Sequence, residues 1–113
     1  MSMSMPFEPL DVENYHDQYY ESAPHFLLDV RTPEEFDEVR IPGAVNIPLQ
    51  ELGGRIEEIP QDAPIVLVCR SGMRSQMGAQ VLRQAGLTDL QLYNLEGGTI
   101  AWVVRGWPTD TGA

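Results

Sequence analysis

The chain has 113 residues, a formal net charge of -10 at pH 7 and a hydrophobic fraction of 42%. This length fits one domain, and the composition is that of an ordinary globular protein. Because phosphate contacts need clustered positive charge, the acidic balance argues against a nucleic-acid partner. All seven basic residues are arginine, so the absence of lysine excludes Schiff-base chemistry.

The chain contains one cysteine, Cys69. A single thiol excludes an intramolecular disulfide and is compatible with a reducing compartment. The first residues, MSMSMPFEP, lack a basic segment followed by an apolar run, so we expect no signal peptide. No apolar stretch approaches the ~20 residues that span a bilayer. We therefore expect a soluble, cytoplasmic protein that does not contact a membrane.

Strand-like and helix-like segments alternate along the chain. We interpret residues 1–9 as a lead-in, 10–108 as the domain and 109–113 as a polar tail. The predicted helices cover residues 11–22, 32–36, 49–59 with a break at Gly53-Gly54, 74–85 and 98–106. The predicted strands cover residues 26–30, 44–48, 64–68 and 90–94. Strands that alternate with helices predict an α/β domain with a mainly parallel sheet and helices on both faces.

Local signals support several of these elements. Asp11 is a plausible N-cap, and Thr32, Pro33 and Glu35 form the N-cap, first position and capping box of a helix. Residues 64–68, PIVLV, are apolar without alternation, which is typical of a strand buried on both faces in the centre of a parallel sheet. Cys69 would end this central strand.

The stretch VCRSGMRS, residues 68–75, has the features of an anion-binding loop. Gly72 permits a positive φ, and successive backbone N–H groups in such a turn form a nest for an anion. The following helix adds the partial positive charge of its N-terminus, and Arg70 and Arg74 add full charges. These groups predict a pKa of Cys69 below the ~8.5 of a free thiol. A lone cysteine is commonly just a small buried hydrophobe, but this loop favours a thiolate nucleophile.

Four motifs together resemble the single-domain rhodaneses, the thiosulfate sulfurtransferase-like family: LLDVRTPEEF, IPGAVNIPL, CRSGMRS and LEGGTIAW. The resemblance covers about residues 10–108. It implies a rhodanese-like fold and transfer of a sulfane sulfur through a persulfide on Cys69, with no cofactor. The implied partners are a small anionic donor such as thiosulfate and an acceptor such as cyanide or a thiol. The implied binding residues are Arg70, Ser71, Gly72, Met73, Arg74 and Ser75.

One feature departs from the family pattern. Members commonly have Gly-His before IPGA, where this chain has Val39-Arg40. Histidine is not the nucleophile in this chemistry, so the departure does not exclude catalysis, but the hydrogen bonding behind the loop cannot be carried over. We expect Arg40 to form a surface ion pair with Asp37 or Glu38, with a third cation near the loop as the alternative.

Other polar and aromatic residues have simpler interpretations. We expect Asp29 to accept hydrogen bonds from nearby N–H groups and Arg31 to act as its counter-ion, although both lie at the reactive edge. His16 and His25 lack partners at metal-ligand spacing, so we expect surface positions and no metal site. Trp102 and Trp107 are interpreted as packing residues.

Two other functions remain as alternatives. The rhodanese fold is shared with a group of cysteine-dependent phosphatases, and arsenate reductase is a related possibility. Those phosphatases place five residues between cysteine and arginine, whereas four intervene between Cys69 and Arg74, which predicts a narrower ring of amides. The second alternative is an interaction module. Because degenerate modules usually lack the cysteine, its relevant form is a persulfide carrier that acts between a protein donor and a protein acceptor.

Overall fold

The structure is a computed structural model that describes residues 6–112. Within them, strands and helices alternate as the sequence predicts. The strands are β1 (Glu8–Asp11), β2 (Phe26–Asp29), β3 (Val45–Asn46), β4 (Ile65–Val68) and β5 (Leu92–Glu96). The helices are α1 (Val12–Gln18), α2 (Pro33–Glu38), α3 (Leu49–Leu52), α4 (Met73–Gln84) and α5 (Gly98–Val104), with a 3-10 helix at Ile56–Glu58.

The five strands form one parallel sheet in the order β1-β5-β4-β2-β3. Strand β4 lies in the middle, and all four of its residues have no exposed surface. The prediction of a central strand buried on both faces is confirmed, because an uninterrupted apolar run can be accommodated only where both faces are covered. All carboxyl ends of the strands lie at one edge of the sheet, and Cys69 directly follows β4 at that edge.

Two apolar cores cover the two faces of the sheet. Alternate residues of β4 point to opposite sides, so Ile65 and Leu67 belong to one core and Val66 and Val68 to the other. Helix α4 contributes Ala79 and Leu82 to the first core, and α5 contributes Trp102 to the second. The predicted α/β architecture, with helices on both faces of the sheet, is confirmed.

The two predicted N-caps, Asp11 and Thr32, are also confirmed. The Asp11 carboxylate accepts a hydrogen bond from the Asn14 N–H at 2.8 Å. The capping box of α2 is complete, since Thr32 Oγ1 accepts from the Glu35 N–H and Glu35 Oε1 accepts from the Thr32 N–H. Among the described residues, no helix is both long enough and apolar enough to cross a bilayer.

Several boundaries differ from the predictions. Strand β1 begins inside the segment interpreted as a lead-in, because its backbone pairs with β5 from Glu8↔Tyr93 to Asp11↔Glu96. Residues 1–5 lie outside the described part of the chain. Helix α1 ends at Gln18 rather than at residue 22, and β5 lies two residues later than predicted.

The segment interpreted as a polar tail also has contacts with the domain. Asp110 forms an antiparallel bridge with Arg40, and the Gly112 N–H donates to the Asp37 carbonyl at 2.7 Å. Backbone pairing therefore attaches this segment to the chain just after α2. Ala113 lies outside the described residues.

Candidate active site

The Cys69 side chain is almost completely buried, with 1% of its surface exposed. The Gly72 N–H donates to Sγ at 3.1 Å, and the Ser75 Oγ lies 3.4 Å from Sγ. Gly72 has a φ of 109° and is the N-cap residue of α4. This left-handed conformation turns the chain back, so that the loop amides and the start of α4 face the sulfur.

The surroundings of the sulfur favour its ionised form. Burial raises the pKa of the Cys69 thiol, whereas the Ser75 hydroxyl and the backbone N–H groups of Ser75, Gly72 and Ser71 lower it. The hydrogen bonds outweigh the burial, so the pKa of Cys69 lies below its ordinary value. The backbone amides, rather than the arginines, are thus the constant stabilisers of the thiolate, and the Ser75 hydroxyl contributes when its proton points at the sulfur.

The turn between β5 and α5 supports the loop from behind. The Cys69 carbonyl accepts hydrogen bonds from the Thr99 N–H at 2.9 Å and from the Thr99 hydroxyl at 3.1 Å. Gly98 has a φ of 61°, and a Cβ at this position would lie 2.5 Å from the carbonyl oxygens of both Cys69 and Arg70. The EGG turn therefore permits a close approach of two backbone segments that any side chain would prevent.

Arg74 does not point a free charge at the sulfur. Its Nη1 and Nη2 donate to Glu35 Oε1 and Oε2 at 2.7 and 2.8 Å, in a two-pronged ion pair that joins α4 to α2. The hydrogen bonds from Arg74 lower the pKa of Glu35 to about 2. The same pair raises the pKa of Arg74. Any anion that binds Arg74 must therefore compete with Glu35.

Arg70, Ser71 and Met73 lie on the outside of the loop and are exposed. Within residues 6–112, Arg70 takes part in none of the ion pairs. Its side chain lines a groove of about 160 Å³ next to α5. The groove is mostly apolar on the α5 side, where its lining residues are Ile100, Val103 and Val104.

Asp29 and Arg31 form a buried ion pair at the carboxyl end of β2. The Arg31 Nη2 donates to Asp29 Oδ2 at 2.8 Å, and the Arg31 backbone N–H donates to Asp29 Oδ1 at 3.0 Å. Asn46 donates to the backbone carbonyls of both residues. These contacts agree with the structural roles expected for the two residues, because the Asp29 carboxylate and the Arg31 guanidinium bind each other and stabilise the start of the β2–α2 connection.

The expectation for Arg40 is wrong. Within the described residues it forms no ion pair with Asp37 or Glu38; its Nη1 donates instead to the carbonyls of Phe36 at 3.1 Å and Gly112 at 2.7 Å. The guanidinium also lies over the Phe36 ring, 4.6 Å from its centroid. Arg40 fastens the last described residues to α2, since carbonyl acceptors lie closer to it than the neighbouring carboxylates.

The two histidines are half-buried rather than surface residues. His16 stacks on Trp107 with ring centroids 4.2 Å apart, and His25 Nε2 lies 2.8 Å from the Tyr15 hydroxyl. Trp102 is completely buried, as a packing residue should be. Contacts with aromatic side chains therefore explain why the two histidines are half-buried, although their polarity predicts exposed positions.

The structure adds two residues to the site that the sequence did not indicate. The sequence indicates only a capping-box role for Glu35, although its carboxylate also accepts two hydrogen bonds from Arg74. Asn94 of β5 is fully buried, and it contacts both the Ser75 hydroxyl and the Gly72 carbonyl. An asparagine at the end of a predicted strand, residues 90–94, is the one available signal for such a role, because buried amides need hydrogen-bond partners.

Comparison with known proteins agrees with this geometry. The family model described as "Rhodanese-like domain" matches residues 12–105. A sulfurtransferase of Allochromatium vinosum is 36% identical over 99 residues, which cover 88% of this chain and 91% of that protein. The crystal structure of a rhodanese-related protein from Thermoplasma volcanium has a TM-score of 0.80 at 26% identity and covers 92% of this chain and 98% of its own.

Some similar proteins are much longer than this chain. A thiosulfate sulfurtransferase from Pseudomonas aeruginosa has a TM-score of 0.82 at 28% identity, and the match covers 95% of this chain but 21% of that one. The chain spans 59% and 23% of the lengths of two further curated relatives.

A parallel α/β sheet with a buried cysteine in an amide-lined loop defines the class of the protein, and the matched residues define its family. The chain belongs to the rhodanese-like domain family, which is a family of sulfur-transfer proteins.

Proposed function

We propose that the chain transfers a sulfane sulfur from a small anionic donor, with thiosulfate as the test case, to a thiol or to cyanide. The supporting observation is the Cys69 sulfur itself, which lies 3.1 Å from the Gly72 N–H in a loop whose amides lower its pKa. A larger thiolate fraction at neutral pH supplies the nucleophile that such a transfer needs.

The reaction balances in two displacements on sulfur. The Cys69 thiolate attacks the outer sulfur of thiosulfate, and the bond between the two thiosulfate sulfurs breaks as sulfite leaves with the electron pair. The enzyme then carries a persulfide, Cys69–S–S⁻. Cyanide attacks the terminal sulfur, the persulfide bond breaks toward Sγ, and thiocyanate and the Cys69 thiolate are formed. No external oxidant or reductant is required.

The charged residues have different parts in this proposal. Arg70 is exposed at the groove beside the loop and is available to an anionic donor. Arg74 is bound to Glu35 and becomes available only when that ion pair opens. We therefore assign the first contact with the donor to Arg70 and a conditional contact to Arg74.

The size of the loop favours sulfur over phosphate. Four residues separate Cys69 from Arg74, and the loop closes so tightly that the Gly72 N–H donates to Sγ itself. A tetrahedral oxyanion needs a wider ring of amides above the sulfur. The phosphatase and arsenate reductase alternatives are for this reason less well supported.

Transfer between proteins is a second candidate, because apolar side chains are exposed beside the loop. Met73 is 72% exposed and Val104 is 77% exposed, so both side chains are available to contact a protein partner. A screen of small and protein-bound acceptors with the persulfide form would separate the two candidates. Rapid discharge by thiols or cyanide favours the enzyme, and discharge by a protein thiol alone favours the carrier.

Intact-protein mass spectrometry tests the chemistry of either candidate. After incubation with thiosulfate, the wild-type protein should gain the mass of one sulfur atom and lose it again when cyanide is added. Cys69→Ser should gain nothing, because a serine oxygen cannot form a persulfide and the chain has no second cysteine. A thermal unfolding curve of the variant controls for folding. A sulfur adduct on the folded serine variant, or its absence from the wild type with every sulfane donor, would contradict the proposal.

A further inference from the structure

The side-chain amide of Asn94, on β5, contacts the hydroxyl group of Ser75, which lies beside the Cys69 sulfur. Asn94 is fully buried, and its Nδ2 donates to the Gly72 carbonyl at 3.2 Å and to Glu96 Oε2 at 2.6 Å. Both partners can only accept hydrogen bonds. The orientation of the amide is therefore fixed, and Asn94 Oδ1 must face Ser75.

This orientation decides where the Ser75 proton lies. Asn94 Oδ1 is an acceptor without a hydrogen, so the Ser75 hydroxyl donates its single proton to it. Toward Cys69, whose Sγ is 3.4 Å away, Ser75 then presents only oxygen lone pairs. In this orientation the oxygen accepts a hydrogen bond from the S–H group of the thiol, and it can donate one to the thiolate only if the hydroxyl turns away from Asn94.

We infer that Asn94 is a positioning residue for sulfur transfer, because its Oδ1 competes with the Cys69 sulfur for the single proton of Ser75. The inference rests on the proposed role of Cys69 as the nucleophile. When the thiol ionises, the hydroxyl can turn toward the sulfur only by leaving the buried Asn94 Oδ1 without a donor, which is costly.

The competition changes during the reaction. In the thiolate, the sulfur carries a full charge and is a strong acceptor, so its competition with Asn94 for the Ser75 proton is greatest in this state. In the persulfide, the charge has moved to the terminal sulfur, and Sγ has become a neutral, weak acceptor. The sulfur then competes only weakly with Asn94 for the Ser75 proton, while the Gly72 N–H, which donates to Sγ, does not depend on Ser75.

The charged groups around the loop leave this competition undisturbed. They come from five elements or their ends, and each is engaged elsewhere or exposed: Arg74 with Glu35, Arg31 with Asp29, Glu96 with the Asn94 nitrogen, and Arg70 at the surface. Within residues 6–112, none of these charged groups is hydrogen-bonded to the Ser75 hydroxyl, which contacts Asn94 and Cys69.

The pH profile of Cys69 alkylation by iodoacetamide tests the inference, because this neutral probe reacts with the thiolate and needs no sulfur donor. If Asn94 withholds the Ser75 proton, Asn94→Ala should lower the midpoint of the profile by roughly one pH unit, the scale of one modest hydrogen bond. Ser75→Ala alone should move the midpoint by less than about half a unit, since its gain and loss of hydrogen bonds nearly cancel. In the Asn94→Ala background, Ser75→Ala should raise the midpoint by roughly one unit, and this difference between backgrounds measures the coupling.

Thr99→Val is the control for a loosened loop, because it removes a hydrogen bond to the Cys69 carbonyl without affecting the Ser75 proton. Loosening of the loop weakens the Gly72 N–H contact with Sγ and should raise the midpoint, which is opposite in sign to the decrease expected for Asn94→Ala. A rise of about one unit in Ser75→Ala alone would overturn the inference, since the hydroxyl would then already be donating to the thiolate. Equal effects of Ser75→Ala in both backgrounds would overturn it as well.

Two safeguards keep the test decisive. If Asn94→Ala fails to fold, Asn94→Leu removes the same acceptor and keeps the branching at Cγ, and Ser75→Ala in the wild-type background needs no Asn94 variant. The persulfide experiment reports on the proposed function separately. A chain that shows the coupling but never gains a sulfur would retain the role of Asn94 in thiol chemistry and lose the role of sulfurtransferase.

Discussion

The ion pair between Glu35 and Arg74 offers a direct way to change donor binding. The two side chains are 26% and 35% exposed, so opening their pair costs about 0.5–1 kcal/mol, as for other partly exposed pairs. An anionic donor that uses Arg74 must meet this cost. Glu35→Gln removes the charge and keeps an oxygen for the capping box. The variant should therefore bind thiosulfate about twofold to fivefold more tightly, which is the same energy at ~1.4 kcal/mol per decade.

The assay is the KM for thiosulfate at fixed cyanide, measured together with kcat. Glu34→Gln is the matched control, because Glu34 is an exposed residue of the same helix and its loss changes the net charge equally. Only Glu35→Gln should lower KM. If KM stays at the wild-type value in both variants, the reasoning that Glu35 withholds Arg74 is refuted. If KM falls equally in both variants, the effect comes from net charge.

The same substitution has a defined effect on stability. The pKa of Glu35 is lowered from 4.5 to about 2 in the folded protein. A lowered folded-state pKa contributes stability above the unfolded-state pKa, and this contribution is lost as the pH falls through the folded-state value. Glu35→Gln should thus be less stable than the wild type by about 0.5–1 kcal/mol above pH 5, and the difference should vanish toward pH 2. Chemical denaturation across this range measures it.

Two further predictions concern the backbone of the site. Gly98→Ala should lower the free energy of unfolding by at least about 2 kcal/mol more than Gly106→Ala and should abolish sulfur transfer. Both glycines have positive φ, but of the two only Gly98 lies against backbone carbonyls. Equal melting temperatures of the two variants would contradict that contact. Insertion of one glycine between Cys69 and Arg74 should reduce sulfur transfer and introduce inhibition by arsenate, whereas the same insertion next to Gly106 should do neither. Unchanged transfer by a folded loop variant would remove the argument from loop width.

Local signals predicted the parts of the fold that depend on neighbouring residues. The apolar run of β4 and the glycine after Cys69 placed a turn at the carboxyl edge of a central strand. The pattern of Thr32 and Glu35 predicted a capping box, because all of its hydrogen bonds lie within four residues. These features needed no knowledge of distant contacts.

Contacts between distant residues could not be predicted in the same way. Glu35 and Arg74 are 39 positions apart, and nothing in their local sequence pairs them. Strand β1 has a single buried residue, Leu10, and no alternation; it forms because the edge of β5 offers free backbone groups. The strand predicted over residues 90–94 extends to Glu96 in the structure, where a hydrogen bond between the Asn94 and Glu96 side chains satisfies the polar groups at the strand end.

The close approach of Gly98 to the Cys69 and Arg70 carbonyls has a consequence for protein engineering. The loop that begins at Cys69 is one half of a two-part element, whose other half begins 27 residues later at Glu96 and ends with Thr99. Transplanting CRSGMRS alone into another scaffold would leave the Cys69 carbonyl without its two donors from Thr99. A transferable module must therefore carry both turns and the pair of adjacent strands, β4 and β5, that fixes their spacing.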